Sequence, residues 1–108
     1  MSYKVFTIPP FDKQLKRLCK KYPSLKEEFS KLIKTLENKP TQGTALTNSC
    51  YKIRLAIASK GKGKSGGSRI ITHVQLIDNT VFLLAIYDKS EQRDISDKDI
   101  KDLLSFIE

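Results

Sequence analysis

Lys52 and Arg54 stand two residues apart in the run Tyr51-Lys-Ile-Arg-Leu-Ala-Ile57, and Arg69 opens a second alternating run that also carries His73. Side chains alternate between the two faces of a β-strand, so Lys52 and Arg54 share one face, and Arg69, Ile71, His73 and Gln75 share one in the next run. Cations fixed in this way suit a phosphate. Arginine grips two oxygens in a planar fork and stays charged, whereas lysine is a point charge that can exchange a proton. A phosphodiester under cleavage passes through a pentavalent state with added negative charge, which pre-positioned Arg54 and Arg69 could stabilise without a metal. Between the two runs lies Ser59-Lys-Gly-Lys-Gly-Lys-Ser-Gly-Gly-Ser68, with four of the five glycines. Lys60, Lys62 and Lys64 make it a conformable cationic finger for an irregular phosphate backbone. His73, the single imidazole, is a candidate substrate contact on the Arg69 face.

Other chemistries find less support. Ala58 through Gly63-Lys64-Ser65 fits a relaxed phosphate-loop pattern, but a period-two strand follows it where a helix is required. Cys19 and Cys50 belong to no Cys-x-x-Cys motif and have no neighbour in sequence that would activate a thiol, so they read as small apolar residues. With His73 they offer three soft ligands at most, without the short spacing of a zinc site. No metal and no other cofactor is expected. Asp97, Asp99 and Asp102 flank a helix start, where they offset its dipole.

The chain has 108 residues, 20 Lys+Arg against 12 Asp+Glu, and a formal charge of +8. That length suits one domain, residues 1–108, with a single core. The charge is uneven. Residues 38–77 hold seven cations and no acid, whereas residues 78–108 hold eight acids and four bases. Seven cations without nearby counter-charges repel one another, which points to an anionic partner. No apolar run could span a membrane and no secretory leader is evident, so no membrane partner and a cytoplasmic location are expected.

The elements that must position these residues follow from periodicity. Tyr3–Ile8 alternates as a strand that Pro9-Pro10 ends, and the prolines open a helix with Phe11, Leu15, Leu18 and Tyr22 on one face. Ser24 with Glu27 forms a capping-box pattern ahead of the stripe Leu25, Phe29, Leu32, Ile33 and Leu36. After a polar stretch come strands over 51–57, 69–77 and 80–87, with a turn at Asp78-Asn79. The last strand is continuously apolar and belongs inside the sheet. Ser96 and Asp99 cap a final helix carrying Ile100, Leu103, Leu104 and Ile107. The expected fold is α+β: a small antiparallel twisted sheet in the order β-α-α-β-β-β-α, with a helical hairpin on one face.

The ordered series Lys52-x-Arg54, the loop Gly61-Lys-Gly-Lys-Ser-Gly-Gly-Ser-Arg69 and Leu83-Leu-Ala-Ile-Tyr87-Asp-Lys89 resembles the RelE/ParE superfamily of bacterial toxins, and within it the HigB-like members of the RelE branch. The resemblance spans the whole chain in element order. It implies a RelE-like fold and a metal-independent, ribosome-dependent mRNA endonuclease, restrained by a cognate acidic antitoxin. Cleavage would proceed in the ribosomal A site by 2′-hydroxyl attack on the adjacent phosphate. The implied catalytic residues are Lys52, Arg54, Arg69, Tyr87 and Lys89, with Lys60, Lys62, Lys64 and His73 contacting mRNA or ribosomal RNA. The family's tail tyrosine has no counterpart here, since Ser96 stands about where it would fall, and Tyr87 or Lys89 takes its place. ParE-like members inhibit DNA gyrase instead, and a non-catalytic nucleic-acid-binding module would use the same basic face.

Overall fold

The computed structural model describes residues 2–61 and 66–107. The first strand, β1 (Lys4–Thr7), ends where Pro9 and Pro10 start α1 (Pro9–Lys21), since proline cannot donate to a ladder but suits the first helical turn. Pro23 separates α1 from α2 (Leu25–Asn38). Four strands follow: β2 (Thr44–Ala45), β3 (Cys50–Leu55), β4 (Ser68–Gln75) and β5 (Thr80–Asp88), with a short 3-10 turn over Ala58–Lys60. The last helix is α3 (Asp97–Leu104), whose N-cap Ser96 accepts from the Asp99 amide at 3.1 Å as its sequence indicates. At α2 the capping box does not form. The Ser24 hydroxyl instead donates to Glu28 at 3.1 Å and accepts from the Ser59 amide at 2.9 Å, tying the helix start to the turn that leads into the glycine-rich loop.

The five strands form one sheet in the order β1-β5-β4-β3-β2. β3, β4 and β5 are the expected antiparallel meander, but the sheet is mixed, because β1 runs parallel to β5 with Lys4 opposite Thr80 and Thr7 opposite Leu83. Alternation of side chains is the same in parallel and antiparallel strands, so periodicity alone leaves direction open. Here the connection from β1 to β5 runs through α1, α2 and the strands β2 to β4, which is long enough for a parallel partner. The two-residue β2, inside a stretch that reads as a polar connection, pairs with Lys52 and Tyr51 and covers the other edge.

The hydrophobic core lies between the helical hairpin and one sheet face. It unites Phe11 and Leu18 of α1, Leu25, Leu32 and Leu36 of α2, Ile53 of β3, Ile70 of β4, and Leu83, Leu84 and Ile86 of β5. The opposite face is also partly covered: Ile71 and Ile100 have no meaningful exposure and join the same cluster.

Gly43 is what allows β2 to approach β3. Its φ is +98°, and a β-carbon there would stand 2.5 Å from the Lys52 carbonyl oxygen. Both the left-handed backbone and the contact oppose a side chain, so Gly43→Ala should lower stability by about 1–3 kcal/mol. Urea denaturation of the purified variant tests this, and an unchanged midpoint would count against it.

Candidate functional site

The register of three neighbouring strands assembles the site. Arg54 of β3 lies opposite Arg69 of β4, and Arg69 lies opposite Tyr87 of β5. Opposed residues point to the same face, and strands are about 4.8 Å apart, so the three form a row roughly 10 Å long. The next row along the strands is Lys52, Ile71 and Ala85, and the one beyond it Cys50, His73, Phe82 and Phe6.

A bulge decides that Tyr87 belongs to this row. Ile71 faces Ala85 and Thr72 faces Leu83, which leaves Leu84 without a partner on β4. Before the bulge Phe82 lies on the open face, and after it Ala85 and Tyr87 do, because the extra residue reverses the parity. Asp88 is turned to the helical side by the same step. A continuously apolar strand hides such an irregularity from any reading of alternation.

Arg69 and Tyr87 are each only 5% exposed. Arg69 donates from Nη1 to the Ser68 carbonyl at 3.1 Å. The Tyr87 hydroxyl is buried and has no hydrogen-bond partner among the described residues. Its burial, and secondly the charge of Asp94, push the phenol above its ordinary range, while Arg69 pulls the other way. The hydroxyl is therefore protonated near neutral pH and can donate a proton or a hydrogen bond. Lys52 and Asp94 are 3.4 Å apart. Asp94 also accepts from the Ile95 amide at 2.8 Å, and that bond, with Lys52 and Lys89 nearby, holds its carboxyl below the usual range. Lys89 donates to the Arg93 carbonyl at 2.8 Å, and Arg54 is exposed.

The remaining expected residues fall elsewhere. His73 shares the face but stands four residues along β4 from Arg69, about 13 Å at ordinary strand rise. Its Nδ1 lies 2.8 Å from the Asn48 carbonyl, which can only accept, so that nitrogen carries a proton. Register also brings Cys50 within 3.8 Å of His73, a pairing invisible in the sequence. Burial pushes the Cys50 thiol up to about 11, so the pair does not supply a thiolate. Lys62 and Lys64 lie outside the described residues. Lys60 is not a solvent-facing finger: its side chain is 9% exposed and it donates to the Gly66 carbonyl at 2.7 Å and to Asp88.

Asp88 is the hub that sequence reading missed. Its side chain is fully buried and accepts from Lys60, from Tyr22 Oη at 2.6 Å and from the amide and hydroxyl of Ser90 at 2.9 and 2.7 Å. Burial alone would raise its pKa, but the bonds from Lys60, Tyr22 and Ser90 outweigh it and hold the carboxyl well below the usual range. The network joins α1, the ends of the glycine-rich loop and the end of β5, directly beside Tyr87. A cavity of about 560 Å³ opens on the other side of Tyr87, between α1 and α3, with Gln14, Arg17, Gln92 and Ile95 in its wall.

A mixed sheet with a helical hairpin on one face and a cationic strand row on the other defines a class of small basic α+β proteins. Over residues 4–106 the chain matches the family model described as the RelE toxin of the RelE/RelB toxin–antitoxin system. It belongs to the RelE toxin family. Among solved structures it is similar to a double arginine-to-alanine mutant of the E. coli toxin RelE in the free state, with a TM-score of 0.66 and 16% identity over the full length of both chains. The isolated E. coli RelE toxin gives 0.63 and 16%, covering 98% of this chain and all of that one. The intact E. coli RelBE toxin–antitoxin complex gives 0.50 and 17%, covering 81% and 96%. No helix among the described residues is long and apolar enough to cross a membrane.

Removing one partner of a buried ion pair strands the other, so Lys60→Met should cost about 3–5 kcal/mol at neutral pH. Asp88 has a depressed folded pKa, so its contribution is present above the unfolded carboxylate value near 4 and is lost as pH falls toward the folded value. The gap between wild type and Lys60→Met in urea denaturation should therefore narrow below about pH 4. A gap that is constant with pH would exclude the ion pair as its source.

Proposed function

We propose that this chain is the toxin of a toxin–antitoxin module and that it inhibits translation by cleaving mRNA in the ribosomal A site without a metal. The observation that carries the reading is the cross-strand row of Arg54, Arg69 and Tyr87 with Lys52 beside it. Three donors of positive charge or protons within about 10 Å match the size of a single phosphodiester and its neighbours.

In the proposed reaction the 2′-oxygen attacks phosphorus, the bond to the 5′-oxygen breaks, and the products are a 2′,3′-cyclic phosphate and a 5′-hydroxyl end. The 2′-hydroxyl proton must leave and the departing 5′-oxygen must gain one. Of the Lys52 and Arg54 pair only Lys52 can exchange a proton, because guanidinium stays charged. Tyr87, held in its protonated form, is the candidate donor to the leaving oxygen. Arg54 and Arg69 offset the charge that builds on the phosphoryl oxygens, and Lys89 adds to the local field. Ribosomal RNA would be held by cations away from this row. Lys13, Lys16 and Lys20 of α1 are exposed and join Lys62 and Lys64 as candidates for salt-sensitive phosphate contacts. The antitoxin would be acidic where it meets the basic face.

Primer extension on mRNA incubated with purified protein, with and without programmed ribosomes, tests the reading. Cuts confined to the ribosome-bound sample are expected. Arg54→Ala, at an exposed position, should keep its thermal midpoint and lose about 100- to 1000-fold in cleavage rate. Absence of cuts from protein that still arrests growth would favour gyrase inhibition instead.

Binding to the antitoxin should weaken as salt rises, since exposed charges are screened beyond the Debye length. Titration calorimetry across a salt series measures this, and an affinity indifferent to salt would contradict an acidic contact surface.

A further inference from the structure

The cationic row is exposed at Arg54 and closed at its Arg69–Tyr87 end. Arg69 and Tyr87 are almost inaccessible, and the Tyr87 hydroxyl is buried with no partner among the described residues. Beside it runs the segment 89–96, between β5 and α3. Asp94 of that segment reaches back across 42 residues of sequence to Lys52, at 3.4 Å. Gln92 and Ile95 line the cavity beside Tyr87 and Ala85. Internal bonds shape the segment into a strap: Lys89 to the Arg93 carbonyl, Gln92 to the Asp94 carbonyl at 2.9 Å, and the Ile95 amide to the Asp94 carboxylate. Its outer end is held to α1 by Glu91, which pairs with Arg17 at 2.9 Å and Lys21 at 3.2 Å.

A phosphate that binds Lys52 on its way to Arg69 and Tyr87 competes with Asp94, which already presents a carboxylate to that lysine. We propose that segment 89–96 is an autoinhibitory cover over the cationic row, latched by Asp94 on Lys52, and that a single-stranded RNA opens it by replacing the Asp94 carboxylate with a backbone phosphate. The proposal rests on reading the row as an RNA site, but not on cleavage. The latch is partly exposed, with Lys52 at 28% and Asp94 at 68%, so it is weak. Its release shifts affinity by a small factor, and polyanions that make few other contacts leave it shut.

The test uses the full chain and a short single-stranded 2′-O-methyl RNA, which lacks the attacking hydroxyl and is not cut. Asp94→Asn should bind this probe about two- to fivefold more tightly than wild type. It should also show a steeper salt dependence, by about 0.7 in the logarithmic slope if Lys52 then neutralises one further phosphate. Asp78→Asn removes the same charge from the exposed β4–β5 turn and is the control. Hydrogen exchange in wild type should rise over 89–96 when the probe is added. Equal affinities for the two variants, weaker binding by Asp94→Asn, or undiminished protection of the strap in the bound state would each overturn the proposal. Loss of ribosome-dependent cuts with the binding results intact would refute the cleavage reading and leave the cover in place.

Discussion

One extra residue in β5 governs the rest of this structure. Leu84 has no opposite number on β4, and from that point the strand presents its odd-numbered side chains to the open face. Tyr87 is thereby set beside Arg69, and Asp88 is set against the helices, where Tyr22 and Lys60 meet it. Without the bulge the parity would be reversed, placing Ile86 opposite Arg69 in the cationic row and the Tyr87 phenol in the helical layer. The polarity of the candidate site and the satisfaction of the buried carboxylate are thus two consequences of a single irregularity.

The uneven charge of the chain has an internal answer. The acidic C-terminal part folds back onto the basic elements: Asp88 on Lys60, Asp94 on Lys52, and Glu91 on Arg17 and Lys21. These contacts differ greatly in weight. The Lys60–Asp88 pair is buried and bonded on several sides, so breaking it is costly, whereas the Asp94 and Glu91 pairs sit in or near water and contribute little each. A strong pair therefore holds the architecture while weak pairs hold the strap over the open face. Arg54, Lys13, Lys16 and Lys20 stay exposed, and on them the net positive field remains available to a polyanion.

The structural similarity to E. coli RelE extends over the whole chain at 16% identity, a level at which side-chain roles do not carry across with the backbone. The family is established by the match over residues 4–106. The roles of individual cations rest on their placement in this chain. There the difference between Arg54 and a lysine matters, because it leaves Lys52 as the one member of the pair able to exchange a proton.

Much of this was legible in the sequence. Alternation placed Lys52 and Arg54 on one face, prolines bounded α1 and α2, Ser96 capped α3, and the continuous apolar run became a strand flanked on both sides. These are properties of local periodicity and backbone chemistry, which act over a few residues. Direction of β1, the short β2, the bulge at Leu84, the pairing of Lys60 with Asp88 and the return of Asp94 to Lys52 were not legible. Each joins residues far apart in the chain or depends on register, and neither leaves a trace in local spacing. Asp88 did carry one signal, a charge where an apolar strand ends, but which face it would occupy depended on the bulge. Residue types and their short-range spacing determined the elements and the chemistry they could carry; only the tertiary structure decided which charges meet, because that depends on contacts the chain makes with itself over distance.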